Sequence, residues 1–298
     1  MEVFSDFYHW VSGGPSKETF LRGKVCLVTG ASSGIGKQLA LDLFKYGSKV
    51  ILAARSTEIL MRLRDDMKEI MGNCGEDFMH EPKILTMDLE KLEIIPSKAE
   101  EAVSLFGHVD ILVNNAGMSV RGGCLETELS VFTRLMNVNF LGVVELTRCL
   151  VPGMLARPAG GHVVVVSSVQ GRLPVPHRAA YTASKHAVQA WADSLRAELS
   201  HTRVAVTVIS PGYVHTNLSR NALTGSGAPH GQLDAATSSG YSVQRVSGEI
   251  VRGVVRGEAE LVLAPLHVRL AILVRTLLPG LYRWIMARRA AGERIKRD

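Results

Sequence analysis

Cysteine is scarce in this sequence and poorly placed for cross-linking. Cys26, Cys74, Cys124 and Cys149 lie far apart, with no CxxC pair and no Cys/His spacing that suits zinc. A disulfide framework and a metal site are therefore not expected, and the cysteines read as free thiols in a reducing compartment. No aromatic-interleaved basic motif occurs, so the net charge of +6 does not point to nucleic acid. That charge is uneven: from Arg283 onward Arg283, Arg288, Arg289, Arg294, Lys296 and Arg297 are opposed only by Glu293 and Asp298. The start, MEVFSDFYHWVSGG, lacks a positive segment followed by a long apolar run, so neither a secretory signal nor a membrane span is read there. No internal repeat or domain linker is present.

What the sequence does have is alternation. From Lys24, short apolar, β-branched runs alternate with longer helical patterns, the signature of repeated βαβ units around a parallel sheet. Strands are predicted at Lys24 to Thr29, Lys49 to Ala54, Lys83 to Met87, Val109 to Val113, His162 to Ser167, Val204 to Ile209 and Glu260 to Leu263. Helices are predicted at Ile35 to Tyr46, Glu58 to Met71, Leu92 to Phe106, Ser130 to Leu155, Ala179 to Ser200 and Val243 to Val255. The strand runs are apolar on both faces, as strands covered by helices on each side should be. The resulting expectation is a single doubly wound α/β Rossmann domain at residues 24–264, with a mainly parallel seven-stranded sheet. A short extension at 1–23 precedes it, and an amphipathic, basic helical tail at 265–298 follows.

Two segments break the pattern. Residues 217–243 are rich in Ser, Gly, Ala and Asn and read as a substrate lid beyond a strand end. Leu261 to Met286 is strongly apolar, but His267, Arg269, Arg275 and Arg283 leave it short of the roughly 18 uninterrupted residues of a spanning helix. An interfacial helix on a membrane surface fits it, and so does a helix packed on its own domain or on a partner subunit.

The chemistry begins after the first strand with Thr29-Gly30-Ala31-Ser32-Ser33-Gly34-Ile35-Gly36. The spacing is G-x-x-x-G-x-G. Glycine lets the backbone approach a pyrophosphate, whose charge then meets the amides of a helix N-terminus. At the end of the second strand, where an NAD enzyme would carry an acid, the chain reads Leu52-Ala53-Ala54-Arg55-Ser56, with no carboxylate before Glu58. A guanidinium there suits a 2′-phosphate, Lys37 can add a second cation, and NADP(H) is therefore expected over NAD. Asp88, after the third strand, can accept from an adenine amino group. Asn114-Asn115-Ala116-Gly117, after the fourth, can line a cofactor crevice.

Tyr181 and Lys185 stand at i and i+4 on a predicted helix, so their side chains leave one face. A phenol is a poor base at neutral pH, and a nearby ammonium lowers its pKa by stabilising phenolate. Ser168, closing the fifth strand, can donate to a carbonyl oxygen and polarise it for hydride attack. Together these groups point to hydride transfer between a nicotinamide dinucleotide and a carbonyl or alcohol.

The segments TGASSGIG, NNAG, MNVNFLG, VVSS, YTASK and SPGYVHT together resemble the short-chain dehydrogenase/reductase family. That resemblance implies a catalytic tetrad of Asn139, Ser168, Tyr181 and Lys185, in which the asparagine holds a water linking the lysine to solvent. It also implies cofactor contacts from Gly30, Ser32, Ser33, Gly34, Ile35 and Gly36, from Arg55, Ser56, Asp88 and Leu89, and from Asn115, Ala116 and Gly117. Pro211, Gly212, Val214 and Thr216 would border the nicotinamide, and Tyr181 and Lys185 would touch it or its ribose.

A narrower similarity, in SSVQGRLPVPHRAAYTASKHA, SPGYVHTNLS and LVRTLLPGLYRWIMARRA, is to the member 7 branch of that family, especially its B form. It implies an acyl- or alkyl-dihydroxyacetone phosphate as the lipophilic ketone substrate, with steroid or retinoid dehydrogenation as the alternative and a non-catalytic NADP-binding scaffold as a third. The N-terminal membrane segment expected in that branch is missing, which shifts anchoring to the C-terminal helix. The implied setting is the surface of the endoplasmic reticulum or peroxisome, or the cytosol if the tail packs on the domain. A homodimer or homotetramer is expected.

Overall fold

The computed structural model describes residues 15–74 and 80–294. The segment read as neither signal nor span lies outside them, as do the last three charged residues of the tail. Seven parallel strands form one sheet: β1 (Val25–Thr29), β2 (Lys49–Ala54), β3 (Lys83–Thr86), β4 (Ile111–Asn114), β6 (Gly161–Val166), β7 (Val204–Pro211) and β9 (Glu260–Leu263), in the order β3-β2-β1-β4-β6-β7-β9. The order reverses between β1 and β4, which opens a crevice beyond their C-terminal ends. A separate two-stranded ribbon pairs β5 (Val120–Arg121) with β8 (Leu223–Thr224).

Helices α1 (Lys17–Leu21), α2 (Gly34–Lys45), α3 (Thr57–Cys74) and α9 (Val243–Arg256) contribute to one apolar layer, with Leu39, Phe44, Leu60, Met67 and Ile250 buried in it. The opposite layer is built from α4 (Ile95–Phe106), α6 (Gly142–Leu155) and α7 (Ala179–Glu198), through Ala99, Leu146, Leu150, Val188 and Ala192. Because helices cover both faces, the central strands are mostly apolar, and the polar side chains they do bury, such as Thr29 and His162, are hydrogen-bonded. β1 is buried at every position. Complete burial of one such Val or Leu contributes about 1.5–3 kcal/mol.

Local chemistry sets the element ends. Ser242 caps α9 by accepting from Arg245 N at 3.3 Å, and Gly257 closes it in the left-handed conformation at φ 65°. Asp110 fixes β1 against β4 by accepting from Val25 N at 2.8 Å and from Arg157 at 2.5 Å.

Three expectations change. The single helix read at Ser130 to Leu155 is α5 (Leu129–Met136) and α6 joined by a π-turn at Asn137–Leu141. The 217–243 lid is not plain loop, since it contributes β8 and the short α8 (Ala235–Ser238). The one interfacial helix of the tail is two, α10 (Leu266–Leu277) and α11 (Pro279–Arg294), because Leu278 precedes a proline and leaves helical geometry at φ −130°, ψ 62°.

Candidate functional site

A cavity of about 640 Å³ runs along the C-terminal ends of the strands. Thr29 organises its floor: its Oγ1 donates to Val113 O and accepts from Asn115 N and Ala116 N, all at 3.0–3.1 Å. The turn that follows depends on glycine, most tightly at Gly30 and Gly36. Gly30 has φ +67°, and a Cβ there would lie 2.8 Å from Ala116 Cα. A Cβ at Gly36 would lie 2.3 Å from the Gly30 carbonyl oxygen. Gly36 itself is not a cavity wall, unlike Gly30, Ser32, Ser33, Gly34 and Ile35. The absence of a side chain at Gly36 lets α2 seat against the turn.

Ser33, the N-cap of α2, makes no side-chain capping bond. The leading amides of α2 are left for a ligand, as a pyrophosphate cradle requires.

Arg55, Ser56, Asp88 and Leu89 line the same cavity at the ends of β2 and β3. No ion pair or hydrogen bond engages the Arg55 guanidinium among the described residues, so it can meet an anionic ligand. Lys37 does not help it: it lies in a smaller neighbouring pocket with Thr216, and Asp66 is 3.8 Å from its ammonium. Asp88 spends Oδ1 on Glu90 N at 3.0 Å, which turns the chain towards α4. Asn115, Ala116, Gly117, Pro211, Gly212, Val214 and Thr216 complete this half of the wall.

Ser168, Tyr181 and Lys185 face the other half. Ser168 caps the turn after β6 by accepting from Gln170 N at 3.1 Å. Tyr181 and Lys185 are both buried on the first turns of α7, with the ammonium 5.9 Å from the tyrosine ring centre. Lys185 donates to Val166 O at 2.8 Å, which ties the catalytic helix to β6. Burial lowers the lysine pKa to about 8. Burial also raises the Tyr181 phenol above its ordinary value, while Ser168, Arg121 and Arg178 act in the opposite direction. Desolvation outweighs these groups, and the lowering comes from Ser168 and the two arginines, not from Lys185 as expected.

The family model described as short chain dehydrogenase matches residues 24–226, the stretch that holds all of these groups. The chain belongs to the short-chain dehydrogenase/reductase family. It is an oxidoreductase of the CH–OH/C=O class. A relative in Anopheles gambiae, named Dehydrogenase/reductase SDR family protein 7-like, is 48% identical over 91% of this chain and 84% of its own length. Dehydrogenase/reductase SDR family member 7B of Xenopus tropicalis is 41% identical over 94% of this chain and 89% of its own. Among solved structures, a Burkholderia phymatum short chain dehydrogenase/reductase in complex with NAD superposes with a TM-score of 0.77 at 24% identity, covering 88% of this chain and 96% of that one. An alcohol dehydrogenase of Thermococcus sibiricus, complexed with 5-hydroxy-NADP, superposes with a TM-score of 0.67 at 25% identity over 80% and 95% of the two chains.

Within this short-chain dehydrogenase/reductase site, Asn139 is buried next to Met118 and Ser184. It lies on the π-turn behind the wall, and its carboxamide is spent: Nδ2 donates to Met118 O and Ser184 Oγ, and Oδ1 accepts from Met118 N. The side chain therefore clamps the segment after β4 to α7.

Sequence reasoning missed Arg121, which lines the cavity, and its partners Arg178 and Asp234. No spacing marks them, because residues 121 and 234 meet only through the tertiary fold.

Proposed function

We propose that the protein is an NADPH-dependent reductase that converts a lipophilic ketone to a secondary alcohol. One observation carries this reading: Ser168, Tyr181 and Lys185 share a single cavity with an uncapped helix N-terminus and, at the opposite end, with Arg55.

The nicotinamide nucleotide, when bound, supplies the hydride. The α2 amides would hold its pyrophosphate, Gly30 would let the backbone come close, and Arg55 would take the 2′-phosphate. Ser168 orients and polarises the substrate carbonyl, Tyr181 gives its phenolic proton to the oxygen, and Lys185 holds the ribose and favours the phenolate that results. The carboxamide of Asn139 fixes the wall on which these groups stand.

A charge-assisted bond to a phosphate contributes about 1.5–3 kcal/mol. Arg55→Ala should therefore raise KM for NADPH by about 10–100-fold and leave that for NADH within a few-fold. The assay follows nucleotide oxidation with acyl-dihydroxyacetone phosphate, steroid ketones and retinal in parallel. If all remain inert, the reductase reading fails, and equal losses with both nucleotides would remove the case for NADPH.

The tail supports a lipophilic substrate met at a membrane surface. Leu266, Leu270, Leu273 and Leu277 expose 50–72% of their surface along one side of α10, and α11 adds Leu281, Trp284 and Ile285. No acidic residue occurs from Leu266 to Gly292, whereas Arg269, Arg275, Arg283, Arg288 and Arg289 do. An apolar face rimmed by arginine suits an anionic bilayer surface. Purified protein should float with phosphatidylserine-containing vesicles and less with phosphatidylcholine alone. Leu270→Ser, Leu273→Ser and Leu277→Ser together should leave it at the bottom of the gradient, and flotation unchanged by them would rule the face out. The same reading includes a homodimer or homotetramer paired through the long helices α5–α7.

A further inference from the structure

Three charged side chains meet between the lid and the catalytic helix. Arg121 is on β5, Arg178 directly precedes α7, and Asp234 belongs to the lid just before α8. Arg121 holds the Asp234 carboxylate with Nε at 3.0 Å and a terminal nitrogen at 2.6 Å, and Arg178 reaches the same Oδ2 at 2.7 Å. Only 10% of each arginine side chain and 19% of the aspartate is exposed. Arg121 is fixed further by donating to Ser119 Oγ and Val120 O, both at 2.8 Å.

Two guanidiniums against one carboxylate leave a surplus positive charge in a place of low dielectric. A buried group of this kind is costly unless the fold uses it. The Nε of Arg178 is buried without a hydrogen-bond partner, which adds to that cost. The cluster also joins the parts that must come together: Arg121 lines the cavity from the body, while Ser219 and Thr237 line it from the lid. Ser219 Oγ accepts from Asp234 N at 3.2 Å, so holding the carboxylate holds both lid walls.

We propose that Arg121, Asp234 and Arg178 are positioning residues for the reduction: they clasp the lid over the substrate end of the cavity and leave one net positive charge beside the Tyr181 phenol. The proposal rests on Tyr181 being the proton donor of the reaction. The other groups acting on the phenol are Ser168, after β6, and Tyr213, after β7; Lys185 stands one turn along α7. Burial alone would raise the Asp234 carboxyl, but the two arginines hold it below the usual carboxylate range, so the clasp stays charged at neutral pH. The charge left over opposes the rise that burial imposes on Tyr181.

The clasp and the charge separate by sign. Arg121→Met and Arg178→Met each remove a positive charge, and Asp234→Asn removes the negative one. Full-length protein carrying ¹³Cζ-tyrosine can be titrated by NMR, with Tyr181→Phe assigning the signal. The two arginine variants should raise the Tyr181 midpoint by roughly half a unit or more, and Asp234→Asn should lower it by a similar amount. A cluster that only held the structure together would, on breaking, admit water and move all three variants in the same direction. That result, or no movement, overturns the charge role.

Hydrogen exchange reads the clasp. Amides of 217–243 should exchange at least several-fold faster in Asp234→Asn and Arg121→Met while the sheet is unchanged; unaltered lid exchange overturns it. Arg121→Lys, the gentler substitution, should return the Tyr181 midpoint towards the original and still leave the lid faster, since an ammonium cannot grip a carboxylate bidentately. Neither measurement needs turnover. Failure of the reductase reading would appear instead as activity that survives Tyr181→Phe.

Discussion

Replacing Tyr181 with phenylalanine should cut kcat by about 10²–10⁴-fold, some 3–5 kcal/mol of barrier, while NADPH still binds. The substitution removes one oxygen from a ring that is 6% exposed and packs with Val120, Val131, Leu135, Ala180 and Leu223, so the fold has no reason to move. What is lost is the proton source. Ser168 can still polarise a carbonyl, but Lys185 cannot take over the transfer, because its ammonium donates to Val166 O and stands 5.9 Å from the ring centre. The check is single-turnover NADPH oxidation beside a fluorescence titration of NADPH. Unchanged affinity with a lost chemical step is the expected pair, and a chemical step of undiminished rate would remove Tyr181 from the mechanism.

Gly36→Ala should be comparably severe for another reason. The added Cβ would sit 2.3 Å from the Gly30 carbonyl oxygen and equally close to Asn115 Nδ2. The first is backbone and cannot swing aside, so α2 must lift from the turn. Overpacking of this kind costs about 3 kcal/mol, which in a chain of this size lowers Tm by roughly 5 °C. It also withdraws the helix amides from the pyrophosphate. Gly248→Ala, inside α9 with nothing within 4 Å of the new Cβ, is the control and should gain up to about 1 kcal/mol from helix propensity. Similar melting curves for the two variants would contradict the close-packing role of Gly36.

The contrast shows which features the sequence made legible. The central strands of the main sheet could be read because burial on both faces leaves a run of β-branched and apolar residues, as in VCLVT and KVILAA, and the edge strands because KILT and ELVL are short apolar runs. Ser168, Tyr181 and Lys185 could be read because a short, ordered spacing carries them. The π-turn could not, since apolar spacing continues through Asn137–Leu141 and nothing in it marks the extra residue. Gly36 was legible as a glycine but not as a packing residue, because the Gly30 carbonyl it must clear is placed by the turn. The arginine pair and Asp234 lay beyond reach altogether: their meeting depends on how β5 and the lid come together around α7. The division of the tail was signalled by Pro279, yet the apolar character on both sides of it masked the break.

The strand order has a consequence for synthesis. β1 stands inside the sheet, β2 and β3 extend it one way, and β4, β6, β7 and β9 extend it the other way in the order in which they leave the ribosome. Each new strand can therefore add to an edge that already exists, without prying open a finished pair. The glycine turn, Arg55 and Asp88 are in place once β4 has paired, whereas the wall from Pro211 onward depends on β7 and on the last strand, β9. A chain halted before Val204 would hold the glycine turn, Arg55 and Asp88 with the wall from Pro211 to Thr237 still missing, so the nascent protein gains its grip on the nucleotide before it gains a chamber in which to use it.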